Sequence, residues 1–192
     1  MTTVLAVDLG SASGRVLAGT LTDGRLDVTD IHRFKHEARR RQDGTLTWDV
    51  ATMEPETIIG LKKALEQFPD ARSVSIDTWG VDWAPLDENG DLVGDVIAYR
   101  DERTSRTLDA FRERIGDREF FDLTGNQPAT INTANQLFAY LQENPADAQR
   151  VAGVLFLPDY FMYRLTGAVG WSRTIASTSG LLTPGGGDFN DE

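Results

Sequence analysis

The sequence predicts an α/β protein in which a mixed sheet carries flanking helices. Short β-rich segments early in the chain are separated by the pairs Asp23-Gly24, Asp43-Gly44 and Asn89-Gly90. Each pair favours a tight hairpin turn. Between residues 51 and 68 the apolar positions change to helical spacing, and Pro69 ends that pattern. Hairpin-linked strands followed by a helix indicate a sheet covered by helices.

The predicted elements follow one another without an internal repeat. Three strands, an added hairpin, a helix and a fourth strand come first: Val4–Val7, Val16–Leu21, Leu26–Phe34, Arg39–Asp49, Ala51–Phe68, and a strand through Val74 and Ile76 that ends at Asp77. Asp49 or Thr52 is expected to cap the helix. The apolar face of that helix is expected to consist of Met53, Ile58, Leu61, Leu65 and Phe68.

The second half of the chain predicts further helices. Two helices, a buried strand, a short helix and a glycine-rich segment are expected at Thr104–Ile115, Asn132–Glu143, Val151–Leu157, Asp159–Leu165 and Pro184–Gly187. Three hairpin-linked strands, a helix and a further strand form the pattern of the ribonuclease-H-like fold, which actin-like ATPases share. We therefore expect a mixed five-stranded sheet. Its first and fourth strands would be neighbours, so Asp8 and Asp77 would project toward the same cleft.

The composition excludes several classes of protein. The 192 residues are 40% hydrophobic, which suffices for a core, and the absence of cysteine excludes disulfides and cysteine-ligated zinc. The net charge of −11 argues against a nucleic-acid-binding surface, because a phosphate backbone requires a basic footprint. No segment resembles a membrane span or a secretory signal, so we expect no membrane partner and a cytoplasmic protein.

The residues after the first strand suit an anion. Asp8 ends the strand, the small residues 10–14 form a turn, and Arg15 begins the next strand. The two glycines of the turn are expected to adopt positive φ angles that let N–H groups approach a phosphate, and its two serines add hydroxyl donors. Asp8 would lie beside a hydrated divalent cation. The turn is neither a Walker loop nor a dinucleotide fingerprint, and an ordinary strand-to-strand turn is equally open.

Four motifs in one order carry a resemblance to a known family. They are Asp8-Leu9-Gly10-Ser11-Ala12-Ser13-Gly14-Arg15, Ile76-Asp77-Thr78-Trp79-Gly80-Val81-Asp82, Ala98-Tyr99-Arg100-Asp101-Glu102-Arg103-Thr104 and Leu157-Pro158-Asp159-Tyr160-Phe161-Met162-Tyr163-Arg164-Leu165-Thr166-Gly167. Together they resemble the FGGY family of carbohydrate kinases. The segment from Asp77 to Asp82 is similar to the rhamnulokinase branch of that family. The resemblance runs from Val4 to Asp188 and covers residues 1–192 as one amino-terminal, sugar-binding domain.

The resemblance implies a role for each motif. It assigns the phosphates of ATP to Ser11, Ala12, Ser13, Gly14 and Arg15, and it assigns Mg²⁺ to Asp8 through water. It assigns the sugar to Trp79, Gly80, Asp82, Tyr99 and Arg100. This set suits a ketose, because sugar hydroxyls need carboxylate acceptors, a close backbone approach and an aromatic face.

Structural interpretations of the same residues stay open. Trp79 can be a core aromatic residue, and Asp82 can cap the turn that follows it. The run Tyr99-Arg100-Asp101 can form a surface salt-bridge cluster. Arg39-Arg40-Arg41 is read as a solvated hairpin flank. His32 and His36 have no carboxylate pair at ligand spacing and are expected to be structural or exposed.

The family's proton-accepting aspartate has no match in this sequence. The resemblance expects it beyond Glu192, and it assigns the adenine-binding half of the cleft to a carboxyl-terminal kinase domain. We therefore expect no catalytic residue in this chain, which would be inactive without that partner domain. The implied reaction transfers the γ-phosphoryl group of Mg·ATP to the 1-hydroxyl of L-rhamnulose and gives L-rhamnulose 1-phosphate.

Two other classes of function remain open. Asp8 and Asp77 on neighbouring strands also suit a metal-dependent ribonuclease-H-like nuclease. The acidic net charge and the scarcity of lysine, which occurs only at Lys35, Lys62 and Lys63, oppose that reading. The chain can also be a non-catalytic sugar-binding module, which would bind one ketose tightly without ATP.

Overall fold

The computed structural model describes residues 1–185 and 187–190. Gly186 of the predicted glycine-rich segment, and Glu192, beyond which the catalytic aspartate is expected, lie outside the described residues. The chain forms two compact units. The first comprises Met1–Arg39, Trp48–Trp79 and Phe161–Ala168, and the second comprises Arg40–Thr47, Gly80–Tyr160 and Val169–Glu192.

The order of the elements is close to the predicted one. The strands are β1 (Thr2–Leu9), β2 (Ser13–Thr22), β3 (Arg25–Lys35), β4 (Ala38–Arg40), β5 (Leu46–Trp48), β6 (Val74–Thr78), β7 (Trp83–Leu86) and β8 (Gly153–Phe156). The helices are α1 (Val50–Gln67), α2 (Arg103–Arg114), α3 (Asp117–Thr124), α4 (Thr133–Glu143), α5 (Pro145–Ala148), α6 (Leu157–Thr166) and α7 (Arg173–Ala176). Among the described residues, no helix is long and apolar enough to cross a membrane.

The sheet of the first unit is mixed, as predicted, but within the described residues it has four strands rather than five. Their order is β3-β2-β1-β6, with β1 antiparallel to β2 and parallel to β6. The predicted strand at Val151–Leu157 exists as β8. It pairs instead with β7 in a separate antiparallel ladder, where Trp83 lies opposite Phe156. Both strands of this ladder belong to the second unit, and neither is part of the four-stranded sheet.

The local turn signals are confirmed. Asp23 and Gly24 have φ angles of 50° and 80°, which is the pair of positive angles that a type I′ hairpin turn requires. Gly44 lies between β4 and β5 with a φ of 91°. Gly90 has a φ of 81°, and around it the Asp87 N–H donates to the Asp91 carbonyl at 2.9 Å. Turn chemistry therefore positions the hairpins as the sequence indicates.

Helix α1 lies where it is predicted, but its buried face agrees with the predicted one only in part. Met53 is buried as predicted, together with Thr57, Gly60 and Ala64, whereas Leu65, expected in the core, is exposed. A Cβ atom on Gly60 would lie 2.4 Å from Cγ2 of Val16, so only glycine permits this contact. Small residues thus face the sheet because the helix packs very close to it.

The second unit packs helices around the β7–β8 ladder. Trp83 meets Tyr140 of α4 edge to face, with ring centroids 5.2 Å apart. Phe156, Ala176 and Leu182 form a buried cluster with Ile175 packed against it. Helix α3 ends at Gly125, whose φ of 70° closes the helix in the left-handed conformation.

Candidate functional site

A row of four charged residues crosses the sheet of the first unit. Asp8 lies opposite Arg15 on β2 and opposite Asp77 on β6, and Arg15 in turn lies opposite Arg33 on β3. Residues opposite one another in register project from the same face of a sheet. The neighbouring placement of Asp8 and Asp77 is therefore as predicted.

Arg15 is the direct counterion of Asp8. Its Nη2 lies 2.5 Å from Oδ2 of Asp8, and its Nε donates to the same oxygen at 2.6 Å. Both side chains remain partly exposed. A guanidinium that binds a carboxylate can also donate hydrogen bonds to a phosphate, because its planar N–H groups match the geometry of either anion. The pair thus places one cationic and one anionic group beside the turn that follows β1.

The turn between β1 and β2 presents small polar residues to solvent. The Gly10 N–H donates to the Ser13 carbonyl at 2.9 Å, which closes the turn around Ser11 and Ala12. Ala12 and Ser13 are exposed. The expected reason for its glycines was wrong, because neither Gly10 nor Gly14 has a positive φ. Gly14 is instead required by packing, since a Cβ atom there would lie 2.2 Å from Cζ of Phe34.

The residues of the first unit fit a magnesium ion carried by a nucleotide rather than one caged by the protein. No group of three or more His, Asp or Glu side chains among the described residues could hold a metal ion. Magnesium on nucleotide phosphates needs only one or two carboxylates, with water completing its shell. The partly exposed carboxyl group of Asp8 fits that role.

Trp79 belongs to an aromatic cluster in the first unit. Its ring stacks on His36 with centroids 6.1 Å apart and lies 4.2 Å from the ring centroid of Trp48. His36 is 5% exposed, so of the two expected readings the structural one applies. Burial lowers the pKa of His36, and the nearby carbonyl of Gly10 opposes that effect only in part. Trp79 itself is half-buried.

The segment Gly80–Asp82 in the second unit is a strained turn. Val81 has a φ of 69°, which β-branched residues avoid, and the Asp82 N–H donates to the Gly80 carbonyl at 3.0 Å. A Cβ atom on Gly80 would lie 2.9 Å from Oγ1 of Thr178, so glycine permits close packing of this turn. The Asp82 side chain is 0% exposed. As the turn stands, that carboxyl group is not accessible to a sugar.

Three side chains hold the backbone of Val81. Its carbonyl accepts hydrogen bonds from Oγ1 of Thr133 at 2.7 Å and Nε2 of Gln136 at 3.1 Å. Its N–H donates to Oγ1 of Thr178 at 3.3 Å. None of these three residues was singled out from the sequence. Polar residues inside a predicted helix resemble a solvated face, so Thr133 and Gln136 gave no signal.

Tyr99 and Arg100 act as one group in the second unit. Nε of Arg100 donates to the Tyr99 hydroxyl at 2.8 Å, and the guanidinium carbon lies 5.2 Å from the centre of the tyrosine ring. Asp101 is buried and accepts from the backbone N–H groups of Leu46 and Arg103. The three residues therefore do not form a surface salt-bridge cluster.

Buried beneath them, Arg103 is 2% exposed. Its guanidinium donates to the Ala98 carbonyl at 3.1 Å and to Oε1 of Gln136 at 2.7 Å. Burial lowers the pKa of Arg103, while the carboxylates of Asp101 and Asp82 oppose that effect. Asp82 and Arg103 thus supply opposite charges within the same buried region.

Each unit holds its own part of the predicted set. The first unit brings together Asp8, the turn from Ser11 to Arg15, and Trp79. The second unit contains Gly80, Asp82, Tyr99 and Arg100.

Known proteins match the chain along almost its whole length. The sequence model for the N-terminal domain of the FGGY family of carbohydrate kinases matches residues 3–192. A rhamnulokinase from Mannheimia succiniciproducens is 39% identical over 181 residues, which is 93% of this chain and 37% of that protein. The chain therefore spans little more than a third of that relative's length.

Solved structures of sugar kinases share the fold. A xylulose kinase from Rhodospirillum rubrum superposes with a TM-score of 0.83 at 20% identity, over 98% of this chain and 39% of that one. A Plasmodium falciparum glycerol kinase with ADP gives 0.82 at 16% identity, over 100% of this chain and 40% of that one. These likenesses confirm the actin-like α/β fold. Because the family model covers nearly every residue, the chain belongs to the FGGY family of carbohydrate kinases and corresponds to its N-terminal domain.

Proposed function

We propose that this chain is the sugar-binding domain of a rhamnulokinase. In the proposed reaction the γ-phosphoryl group of Mg·ATP moves to the 1-hydroxyl of L-rhamnulose. The observation that carries the proposal is the 39% identity to the Mannheimia rhamnulokinase across 93% of this chain. The proposed setting is the cytoplasm.

The phosphate end of the proposed site lies in the first unit. The turn Ser11–Arg15, which is exposed at Ala12 and Ser13, would offer backbone N–H groups and hydroxyls, and Arg15 would supply the positive charge. Arg15 would donate to the phosphates, which compete with the Asp8 carboxylate for its guanidinium. Asp8 would then accept hydrogen bonds from water bound to Mg²⁺. The magnesium ion would neutralise the charge that develops on the phosphates during transfer.

The sugar end of the proposal uses aromatic and backbone groups. In the first unit the half-buried Trp79 would supply an aromatic ring, and in the second unit Tyr99 and the exposed Arg100 would supply a second ring and donor groups. Gly80 would present its backbone to the ligand. Because the Asp82 carboxyl group is buried, we revise its role from a sugar contact to a buried charge that interacts electrostatically with Arg103.

Proton transfer is assigned elsewhere. We propose that the group accepting the proton of the attacking hydroxyl, and the adenine-binding surface, belong to the part of the relatives' length that this chain does not span. Phosphoryl transfer depends on bringing both substrates into line, so the N-terminal domain would bind sugar without turning it over. The family match favours this function over the nuclease alternative.

A chimaeric enzyme tests the proposal. Residues 3–192 would replace the matching part of the Mannheimia rhamnulokinase, and ATP-dependent phosphorylation of L-rhamnulose would be measured. We expect turnover by the chimaera and none by the 192-residue chain alone. A folded chimaera that prefers D-xylulose would contradict the proposed substrate. A folded chimaera with no turnover, together with a chain that binds one ketose tightly, would favour the non-catalytic module.

A further inference from the structure

Two side chains of helix α4 connect the two segments of the second unit that are proposed to contact the sugar, the turn Gly80–Asp82 and the segment with Tyr99 and Arg100. We propose that Thr133 and Gln136 are positioning residues for the sugar: they hold the strained turn at Val81 and, through Arg103, the segment that carries Tyr99 and Arg100. The inference rests on the proposed function and extends it to residues that touch no substrate.

The strain at Val81 needs an external support. A β-branched residue with a positive φ is unfavourable by itself and persists only when its surroundings hold it. The N–H and carbonyl groups of Val81 are both bound by side chains, the carbonyl by Thr133 and Gln136 together. Val81 is buried, so water does not substitute for these partners. Removing one of these donors should therefore make the strained conformation of Val81 less stable.

Gln136 connects that turn to a second segment. Its Nε2 donates to the carbonyls of Val81 and Ile131, at 3.1 Å and 2.9 Å, while its Oε1 accepts from Nη2 of Arg103 at 2.7 Å. The side chain is 0% exposed. The amide of Gln136 therefore makes two hydrogen bonds as a donor and one as an acceptor. A carboxylate, which only accepts, or an apolar side chain could not make this set.

Arg103 completes the connection. From Gln136 the chain of hydrogen bonds continues through the Arg103 guanidinium to the carbonyl of Ala98, the residue before Tyr99. One path therefore runs from the turn at Val81 to the backbone that carries Tyr99. An unpaired buried polar group is costly, so these hydrogen bonds favour the arrangement of the two segments in which they are made.

This arrangement matters for a sugar because hydroxyl groups are distinguished by position. A site that recognises a polyhydroxylated ligand must hold its contacts within about 0.5 Å of their productive places. Gly80 lies next to Val81, and Tyr99 lies next to Ala98. Changes at Thr133 or Gln136 should therefore alter sugar affinity without any direct contact with the sugar.

Matched substitutions separate this role from general stability. Thr133→Val removes the hydroxyl at nearly constant volume, whereas Thr133→Ser keeps it. Gln136→Glu keeps the acceptor for Arg103 but replaces the donor to Val81 with an oxygen. One control is Thr124→Val, which removes a buried hydroxyl that donates to the Phe120 carbonyl and accepts from the Asn126 N–H. The other is Asn135→Asp, which changes an amide that is 3% exposed and donates to the Ala129 carbonyl.

The test measures L-rhamnulose affinity by titration calorimetry on the 192-residue chain, with unfolding midpoints for every variant. We expect Thr133→Val and Gln136→Glu to weaken binding about tenfold or more. The first variant removes a hydrogen bond to the Val81 carbonyl, and the second places a carboxylate oxygen against that carbonyl. Thr133→Ser should restore binding to within about threefold of the original chain. Thr124→Val and Asn135→Asp should lower the unfolding midpoint while binding stays within about twofold.

A second readout follows the turn itself. A positive φ brings the amide and Hα protons of Val81 close together, so a strong intraresidue NOE is expected in the original chain and a weaker one in Gln136→Glu. Unchanged sugar affinity in folded Thr133→Val and Gln136→Glu overturns the inference while the proposed function stands. Failure of the original chain to bind L-rhamnulose overturns the proposed function, and this inference with it.

Discussion

Asp8 and Arg15 lie opposite each other on antiparallel strands and form a 2.5 Å ion pair at the base of the turn that carries Ser11 and Ser13. Arg15 has Arg33 as its neighbour on β3, and Asp8 has Asp77 as its neighbour on β6. The sheet therefore changes the sign of its charge between β2 and β1, beside the turn proposed for phosphate.

The ion pair predicts opposite effects from its two members on phosphate binding. Arg15→Gln should weaken binding of inorganic tripolyphosphate to the chain about tenfold, because a charge-assisted hydrogen bond is lost. Asp8→Asn should strengthen binding of the metal-free anion, since it releases Arg15, and should abolish any enhancement by Mg²⁺. Titration calorimetry with and without Mg²⁺ measures both effects.

Arg33→Gln is the matched control for that experiment. Arg33 carries the same charge in the same row, but it pairs with Asp30 rather than Asp8. Its substitution should change tripolyphosphate affinity by less than about twofold at about 0.15 M salt, where surface charges are screened and act weakly. An equal loss in Arg33→Gln and Arg15→Gln would show that only the overall charge matters.

Packing at Gly14 predicts a stability change. Gly14→Ala places a Cβ atom 2.2 Å from the Phe34 ring, so the free energy of unfolding should fall by about 1–3 kcal/mol. Gly10→Ala is the control, because its Cβ would meet only the Ser13 carbonyl, at 3.4 Å. Urea denaturation measures both. Adding Phe34→Leu to Gly14→Ala should recover part of the loss, and a double variant less stable than the sum of its parts would refute the packing explanation.

The buried His36 predicts a pH dependence. Burial lowers its pKa, so the unfolded chain binds a proton more readily than the folded chain as the pH falls. The stability contributed by neutral His36 is complete above about pH 6.5, the ordinary histidine value, and is lost as the pH falls through the lower folded pKa. His36→Phe keeps a ring beside Trp79 and removes the titration.

The measurement is the difference in unfolding free energy between the original chain and His36→Phe at a series of pH values. That difference should be constant above about pH 6.5 and should move in favour of the variant at lower pH. Carboxyl groups titrate in both proteins and cancel. Parallel profiles down to acid pH would show that His36 titrates in the fold as it does in the unfolded chain.

The ring and the hydroxyl of Tyr99 are expected to contribute differently to L-rhamnulose affinity. Tyr99→Ala should weaken L-rhamnulose binding about tenfold, or about 1.4 kcal/mol, because the proposed sugar wall loses its aromatic surface. Tyr99→Phe keeps the ring but removes the hydroxyl that accepts from Arg100, and it should bind within about threefold of the original chain. Calorimetry on both variants compares them. Equal losses would assign the effect to the hydroxyl and its Arg100 partner.

Local features of the fold were predictable from the sequence, and long-range features were not. The Asp23-Gly24 turn and the pairing of Asp8 with Asp77 follow from turn chemistry and from strand order. The face that α1 buries was predicted only in part, at Met53, because the pattern of large apolar residues does not show that Gly60 lets the helix approach Val16. The partner of β8 was also missed, since pairing with Trp83–Leu86 joins segments far apart in the chain.

The candidate site divides in the same way. Ser11–Arg15 and Trp79 are recognisable because they stand in continuous motifs, and they remain proposals for ligand contacts. The positive φ of Val81 could not be predicted, since valine disfavours it and its partners on α4 are brought there by the fold. The burial of Asp82 was also missed, because a carboxylate in a sugar-kinase motif suggests an exposed group that binds ligand.

Sugar selectivity of the 192-residue chain tests the central claim most directly. Titration calorimetry would compare L-rhamnulose, L-fuculose and D-xylulose without nucleotide. The account predicts that L-rhamnulose binds at least about tenfold more tightly than the other two, and that Tyr99→Ala removes most of this preference. Equal affinity for the three ketoses, or a preference for D-xylulose, would contradict it.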